Sequence, residues 1–331
     1  MKNILLVGFY GEGNLGDEAI LQAICENLPD LVTPIITSGS KQPYGKSIIR
    51  RGLISWPSFL LASRKCPITV FSGGILQDWS WEGVTFFAHR IIASAKMGSM
   101  PVLFGAGIGP LRSEKARRLA KRALSFVKVA YVRDQYSYNL YKSLLPNANV
   151  HLGTDWTWQY KITSRSLPSN SKMMVNLRQW GNKNLLNKVL EITSDFNGIK
   201  TGVSARKGDT NLIKEICGIS EVVCPNGFVE FANCCQNAEY GIAMRYHVAL
   251  AMLRAGIKTK LICYDEKVKC LAESLKLEVD ENGISKQFKA PPWDFFVDNE
   301  ELFKKMRNSF ILLVAKNVAE SFLLFYFLFV A

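Results

Sequence analysis

Short apolar runs recur along the first half of the chain, each followed by a glycine-containing turn and a helix-like segment: Ile4 to Val7, Ile68 to Phe71, Val102 to Phe104 and Val127 to Val132. Strands that are apolar throughout suit burial on both faces, as in a parallel sheet covered by crossover helices. That pattern excludes an all-helical bundle and a one-sided antiparallel sheet. Helical spacing is clearest from Ser113 to Lys128, where Ala116, Leu119, Ala120, Ala123, Leu124 and Val127 share one face. The other face carries Lys115, Arg117, Arg118, Lys121 and Arg122.

The composition changes at WTWQYKITSRSLPSNSK, residues 156–172, a polar stretch with Pro168 and several serines that reads as a linker. A second α/β rhythm follows. Met173 to Leu177, Thr201 to Ser204, Val222 to Val223 and Lys260 to Cys263 read as strands, and Asn184 to Ile192 and Phe228 to Cys235 as helices. The expected architecture is α/β, with Rossmann-like domains over 1–155 and 173–331 facing one another across a cleft, where ligands bind. The tail SFILLVAKNVAESFLLFYFLFVA is interrupted by Lys316, Asn317 and Glu320, and each central charge costs about 2.5–3.5 kcal/mol on insertion scales. It is expected to form a last helix packed back on the N-terminal domain, with interfacial attachment as the alternative.

A chain of 331 residues that is 48% hydrophobic can give each of two domains its own core. The balance of 41 basic against 28 acidic side chains, +13 formally, points to an anionic partner. No nucleic-acid module or basic groove interleaved with aromatics is present, so nucleic acid is not that partner. The eight cysteines include no CxxC pair, and His89, His151 and His247 are far apart in sequence, so neither a metal site nor a disulfide framework is indicated. Reduced thiols and a start too short in apolar residues for a signal peptide imply a cytoplasmic protein.

The glycine turns carry the candidate chemistry. GFYGEGNLGDEAIL, residues 8–21, leads from the first strand into a helix, and its glycines let the backbone approach a ligand closely. No Gly-Lys-Ser/Thr follows, and Asp17 and Glu18 at the helix start repel a phosphate, so it is neither a P-loop nor a dinucleotide fingerprint. A structural turn capped by Asp17 accounts for the spacing equally well. SGGILQD, residues 72–78, offers Gly73 and Gly74 to line a cleft, and Asp78 to accept a bond from a sugar hydroxyl. GAGIGP, residues 105–110, is a third such turn, and Arg133 and Asp134 end a fourth strand. NLRQW, residues 176–180, places Arg178 at a strand end, where a solvated arginine is the ordinary outcome. GIAMRYHVALAM, residues 241–252, sets Arg245 and His247 within an apolar run. A buried guanidinium needs a partner, which either the fold or a ligand supplies.

The ordered set GFYGEGNLGDEAIL, SGGILQD, GIGP, RDQYS, NLRQW, AMRYH and YDEKV resembles the polysaccharide pyruvyl transferase family, in the branch acting on bacterial cell-wall polysaccharides, over roughly residues 4–275. The resemblance implies a GT-B-like fold and transfer of a pyruvyl group from phosphoenolpyruvate to a sugar as a cyclic ketal. Phosphoenolpyruvate is then a co-substrate, with no cofactor or metal required. It implies Arg178, Arg245 and His247 as the phosphoenolpyruvate-binding set, with His247 as acid/base and Arg245 beside it in catalysis. Gly13, Asn14, Asp17, Gly73, Gly74 and Asp78 become loops lining the substrate cleft. The acceptor is expected to be lipid-linked, with peripheral contact at the inner face of the membrane through the basic face from Lys115 to Arg122. Ser72, Tyr246 and Glu266 depart from the family's usual glycine, leucine and proline, and bear on substrate preference more than on the reaction. The runner-up is a GT-B glycosyltransferase using a nucleotide sugar.

Overall fold

The structure, a computed structural model, describes residues 2–162, 171–179, 183–206, 208–235 and 238–330. Residues 163–170 of the expected linker and Trp180 of the NLRQW motif lie outside the described residues, as do the side chains from residue 318 onward.

The chain divides into two compact units, one made of Met1–Glu12, Ile20–Trp158 and Asn299–Ala331, the other of Gly13–Ala19 and Gln159–Asp298. The first holds strands β1 (Lys2–Tyr10), β2 (Val32–Ser38), β3 (Lys46–Ile49), β4 (Ile68–Ile75), β5 (Met100–Ile108), β6 (Val129–Val132) and β7 (Val150–Leu152). These form one sheet in the order β3-β2-β1-β4-β5-β6-β7, every pair parallel. Helices α1 (Leu15–Glu26), α2 (Ser55–Lys65), α3 (Trp81–Lys96), α4 (Glu114–Leu124) and α5 (Gln135–Leu144) are its crossovers. Leu5, Val7, Phe71, Leu103 and Val132 are fully buried in the core. The strand order reverses between β1 and β4, and the carboxyl ends beside such a switch point are where open α/β sheets bind ligands.

Amphipathic α4 buries Ala116, Ala120, Ala123 and Leu124 and is capped by the Ser113 hydroxyl, which accepts from Ala116 N at 3.2 Å. It ends four residues before the expected Lys128, because Phe126 and Val127 turn the chain into β6 through bonds to Ala123 O and Leu124 O.

The second unit holds β8 (Lys172–Asn176), β9 (Ile199–Val203), β10 (Val222–Val223), β11 (Tyr240–Ala243) and β12 (Lys258–Leu261), in the order β10-β9-β8-β11-β12, again all parallel. Its helices are α6 (Lys183–Ser194), α7 (Asp209–Cys217), α8 (Phe228–Cys235), α9 (Tyr246–Arg254) and α10 (Glu266–Ser274). Val175, Leu177, Val189, Ile213 and Ile242 are buried in its core. The reversal here falls between β8 and β11.

Two segments depart from contiguous halves. Residues 13–19 group with the second unit because Leu15 N donates to Ala205 O at 3.0 Å and the Tyr160 hydroxyl donates to Ala19 O at 3.1 Å. The last helix, α11 (Trp293–Val330), groups with the first unit from Asn299 onward. Phe303, Met306, Phe310 and Val314 form its buried stripe, and Phe310 meets Trp156 and Phe104 with ring centroids 5.1 and 5.2 Å apart. Among the described residues no helix is long and apolar enough to cross a membrane.

Candidate active site

The switch point of the second sheet collects the NLRQW and AMRYH motifs. β8 ends in Asn176, fully buried, whose amide donates to Val203 O at 2.9 Å and accepts from Arg245 N at 3.0 Å. One side chain therefore ties the ends of β8 and β9 to the entry of α9. Arg178 follows, with its amide on Met244 Sδ at 3.4 Å and its Nη1 donating to the Tyr264 hydroxyl at 2.6 Å. Its guanidinium lies 4.8 Å from the Tyr264 ring centroid, a contact that orients the fork. β11 delivers Arg245 in an extended conformation (φ −85°, ψ 133°) as the residue before the first turn of α9, and His247 lies in that turn. A helix start beside two arginines forms an environment for an anion.

Of the two sources left open for a partner to Arg245, the fold supplies one. Its Nε and Nη2 donate to the two carboxylate oxygens of Asp209, both at 2.6 Å, and Asp209 is 2% exposed at the start of α7. A bidentate pair at these lengths is a strong charge-assisted contact. The pair occupies one edge of the guanidinium, so Arg245 is first a positioning group for the start of α9.

The glycine loop is built into the same place. Asn14 accepts from Gly16 N at 3.4 Å and donates to the Asp17 carboxylate, and its carbonyl takes Glu18 N at 3.0 Å. Asp17, 6% exposed, is the third residue of α1, and Asn14 stands in the capping position, which corrects the expectation that Asp17 caps this turn. Ala205 links this loop to the ion pair: its carbonyl takes Leu15 N and its amide donates to Asp209 Oδ2 at 3.2 Å. His247 lies directly against Gly16, where an added Cβ would stand 1.8 Å from Nδ1 and 2.2 Å from Cγ. The imidazole is seated on bare backbone. Gly13, with φ +66°, turns the chain into this loop.

Of the expected residues, Gly13, Asn14, Asp17, Arg178, Arg245 and His247 are thus joined in the second unit. Gly73, Gly74 and Asp78 belong to the first. There Asp78 Oδ2 accepts from Arg112 N, Ser113 N and the Ser113 hydroxyl at 3.1, 2.7 and 2.8 Å. Burial, the largest influence, raises its pKa, but the Ser113 and Arg112 contacts together outweigh it and hold the carboxyl below its usual range. Through Oδ2, Asp78 joins its own loop to the loop that starts α4. Arg133, 5% exposed, sits between Asp134 at 3.2 Å and Asp155 at 3.7 Å, and Asp134 caps α5, so RDQYS is structural.

Sequence reasoning missed Asp209, Asn176 and Gly16. An aspartate at a helix start reads as an ordinary dipole complement, and nothing in its neighbourhood points to an arginine 36 residues on. Asn176 had a signal, a polar side chain closing an apolar strand.

Paired parallel sheets with glycine and arginine motifs at their switch points define a GT-B-like protein with two Rossmann-like units, and solved structures share that fold. S. aureus MnaA bound to UDP superposes with a TM-score of 0.59 at 13% identity, covering 93% of this chain and 91% of that one. Anabaena HepE in complex with UDP-glucose gives 0.57 at 10% identity, covering 96% and 95%. A putative UDP-N-acetylglucosamine 2-epimerase from Listeria monocytogenes gives 0.56 at 14%, covering 93% and 91%. No curated protein sequence matches the chain. The polysaccharide pyruvyl transferase family model matches residues 14–259, and the chain belongs to that family.

Proposed function

We propose that the chain transfers the pyruvyl group of phosphoenolpyruvate to two hydroxyls of one sugar in a cell-wall or surface polysaccharide precursor, with the sugar carried on a lipid. One hydroxyl adds to C2 of the enol and its proton ends on C3, which becomes the methyl group. The second hydroxyl then forms its own bond to C2 as the C2–O bond to phosphate breaks, and the departing phosphate takes the second proton. Two C–O bonds form, one breaks, and no electrons are exchanged.

The observation that supports this reading is the convergence of His247, Arg178, Arg245 and the start of α9 on one switch point, in a chain of this family. His247 is the acid/base that carries the proton from hydroxyl to methylene carbon. Arg178 meets the anionic donor, and the α9 amides stabilise the phosphate as it leaves. Arg245, already paired with Asp209, holds those amides in place and lends the remaining corner of its guanidinium.

His247→Asn tests the assignment. Asparagine keeps part of the shape and hydrogen bonding, so folding and donor affinity are expected to persist while turnover falls about 100-fold to 10,000-fold. A variant that melts earlier but turns over normally per folded molecule would make His247 a packing residue. The alternative, a nucleotide-sugar glycosyltransferase, is favoured by the UDP-containing neighbours and is distinguished by which donor raises the melting temperature.

A further inference from the structure

We propose that the first unit carries a docking surface for an anionic lipid bilayer, centred on the turn 51–54. The inference stands apart from the assignment of the reaction.

All four residues of the turn, Arg51, Gly52, Leu53 and Ile54, are exposed. Leu53, at 89%, is the most exposed large apolar side chain among the described residues, and Ile54 is at 73%. A loose loop would explain this cheaply, but the turn is held from beneath. Arg90, 4% exposed, donates from Nη2 to Arg50 O at 2.8 Å and to the Ser55 hydroxyl at 2.9 Å, gripping both ends of the turn. The Ser55 hydroxyl donates in turn to Gly52 O at 2.7 Å. Arg90 is packed on the Phe86 ring at 3.9 Å and near Trp56 at 4.8 Å. Arg50, 2% exposed, anchors the entry through Gly8 O at 2.9 Å and Glu12 at 3.0 Å. Burial, and then the charge of Arg50, pull Arg90 down to about 10, so holding this turn costs desolvation of a guanidinium. The apolar side chains held so firmly, Leu53 and Ile54, stand mostly in solvent. A rigid apolar tip suits insertion, because little ordering entropy remains to be lost when it enters an interface.

The charge of this stretch favours an anionic partner. Between Asp30 and Asp78 the sequence has no acidic residue and six basic ones; Arg51 stands in the turn itself, while exposed Arg64 and Lys65 close α2 about 15 Å of helix away. Arg51 also lines a cleft of about 140 Å³ whose other bank includes Ser80 and Glu82. On that bank Trp81, 42% exposed, covers Lys115 Nζ at 4.1 Å, and Trp79 stacks on Arg112 at 4.0 Å. Lys115 begins the basic face of α4. Tryptophan beside lysine and arginine, next to an aliphatic tip, matches an interface that is anionic at the surface and apolar below. A second copy of the chain meeting this surface symmetrically would set basic against basic. A nucleic acid would leave Leu53 and Ile54 without a use.

Co-sedimentation of the full chain with phosphatidylcholine vesicles, with and without phosphatidylglycerol, tests the proposal. Binding is expected only with the anionic lipid and is expected to weaken with salt. Leu53→Ser with Ile54→Ser should lower partitioning by at least about tenfold at unchanged melting temperature. Arg51→Gln and Lys115→Gln should each lower it about fivefold. Absence of binding would overturn the proposal, and so would binding indifferent to the serine pair. A wild-type dimer that the serine pair dissociates, or DNA binding that needs Leu53 and Ile54, would assign the surface to a different occupant and overturn it as well.

Discussion

At the scale of single residues, the contact between His247 and Gly16 is the most demanding feature of the site. A methyl group added at residue 16 would stand 1.8 Å from Nδ1, so the ring must move by more than an ångström for any side chain to fit. Misplacement of a catalytic group by about 1 Å costs on the order of 100-fold in rate. Gly16→Ala is therefore expected to lower turnover by about that factor while donor affinity, read by titration calorimetry, changes little. Equal loss of both would mean that the loop binds the donor instead of seating the histidine. The Arg245–Asp209 pair makes a different prediction. Asp209→Asn leaves a guanidinium that is 13% exposed without its counter-charge, and is expected to cost about 3 kcal/mol of stability in urea unfolding. An unchanged midpoint would show that the pair is replaceable. Arg245 and His247 were legible in the sequence because a charge inside an apolar run demands an explanation. Asp209 was not, because a contact across 36 residues leaves no local trace.

At the scale of elements, β10 and β12 were legible although they are edge strands of the second sheet, whereas β2, β3 and β7 of the first sheet were not. β1, β4, β5 and β6 each carry a mostly apolar run and could be read directly. β2 contains Pro34, which denies a strand by its missing N–H, yet Pro34 pairs with Ile4 one residue before β3 begins pairing at Ile35. β3, KSII, is an edge strand with both ends exposed, and β7 has three residues, so neither gives a periodicity to count. The last helix was legible from its interrupting charges, and its packing is specific enough to test. Phe310 is fully buried between Trp156 and Phe104, and Phe310→Ala is expected to destabilise the protein by about 3–5 kcal/mol. A loss near zero would mean that α11 does not belong to the core of the first unit. Boundaries were the weakest part of the reading: α4 stops at Leu124 because the chain needs a turn before β6, and helical periodicity carries no record of that turn.

At the scale of the whole molecule, the fold and the family are fixed more firmly than the chemistry, since one architecture serves many reactions. The structural neighbours include proteins solved with UDP or UDP-glucose, whereas the family is that of polysaccharide pyruvyl transferases. The excess of positive charge, +13, suits an anionic donor and an anionic surface alike and does not separate the readings. The central claim is the identity of the transferred group, and mass spectrometry tests it most directly. The purified chain is incubated with phosphoenolpyruvate and a panel of lipid-linked saccharides, and phosphate release and acceptor mass are followed together. The account predicts one phosphate released for each acceptor that gains a pyruvyl ketal, with no product from UDP-sugars. Glycosyl transfer from a UDP-sugar, with phosphoenolpyruvate left intact, would contradict it.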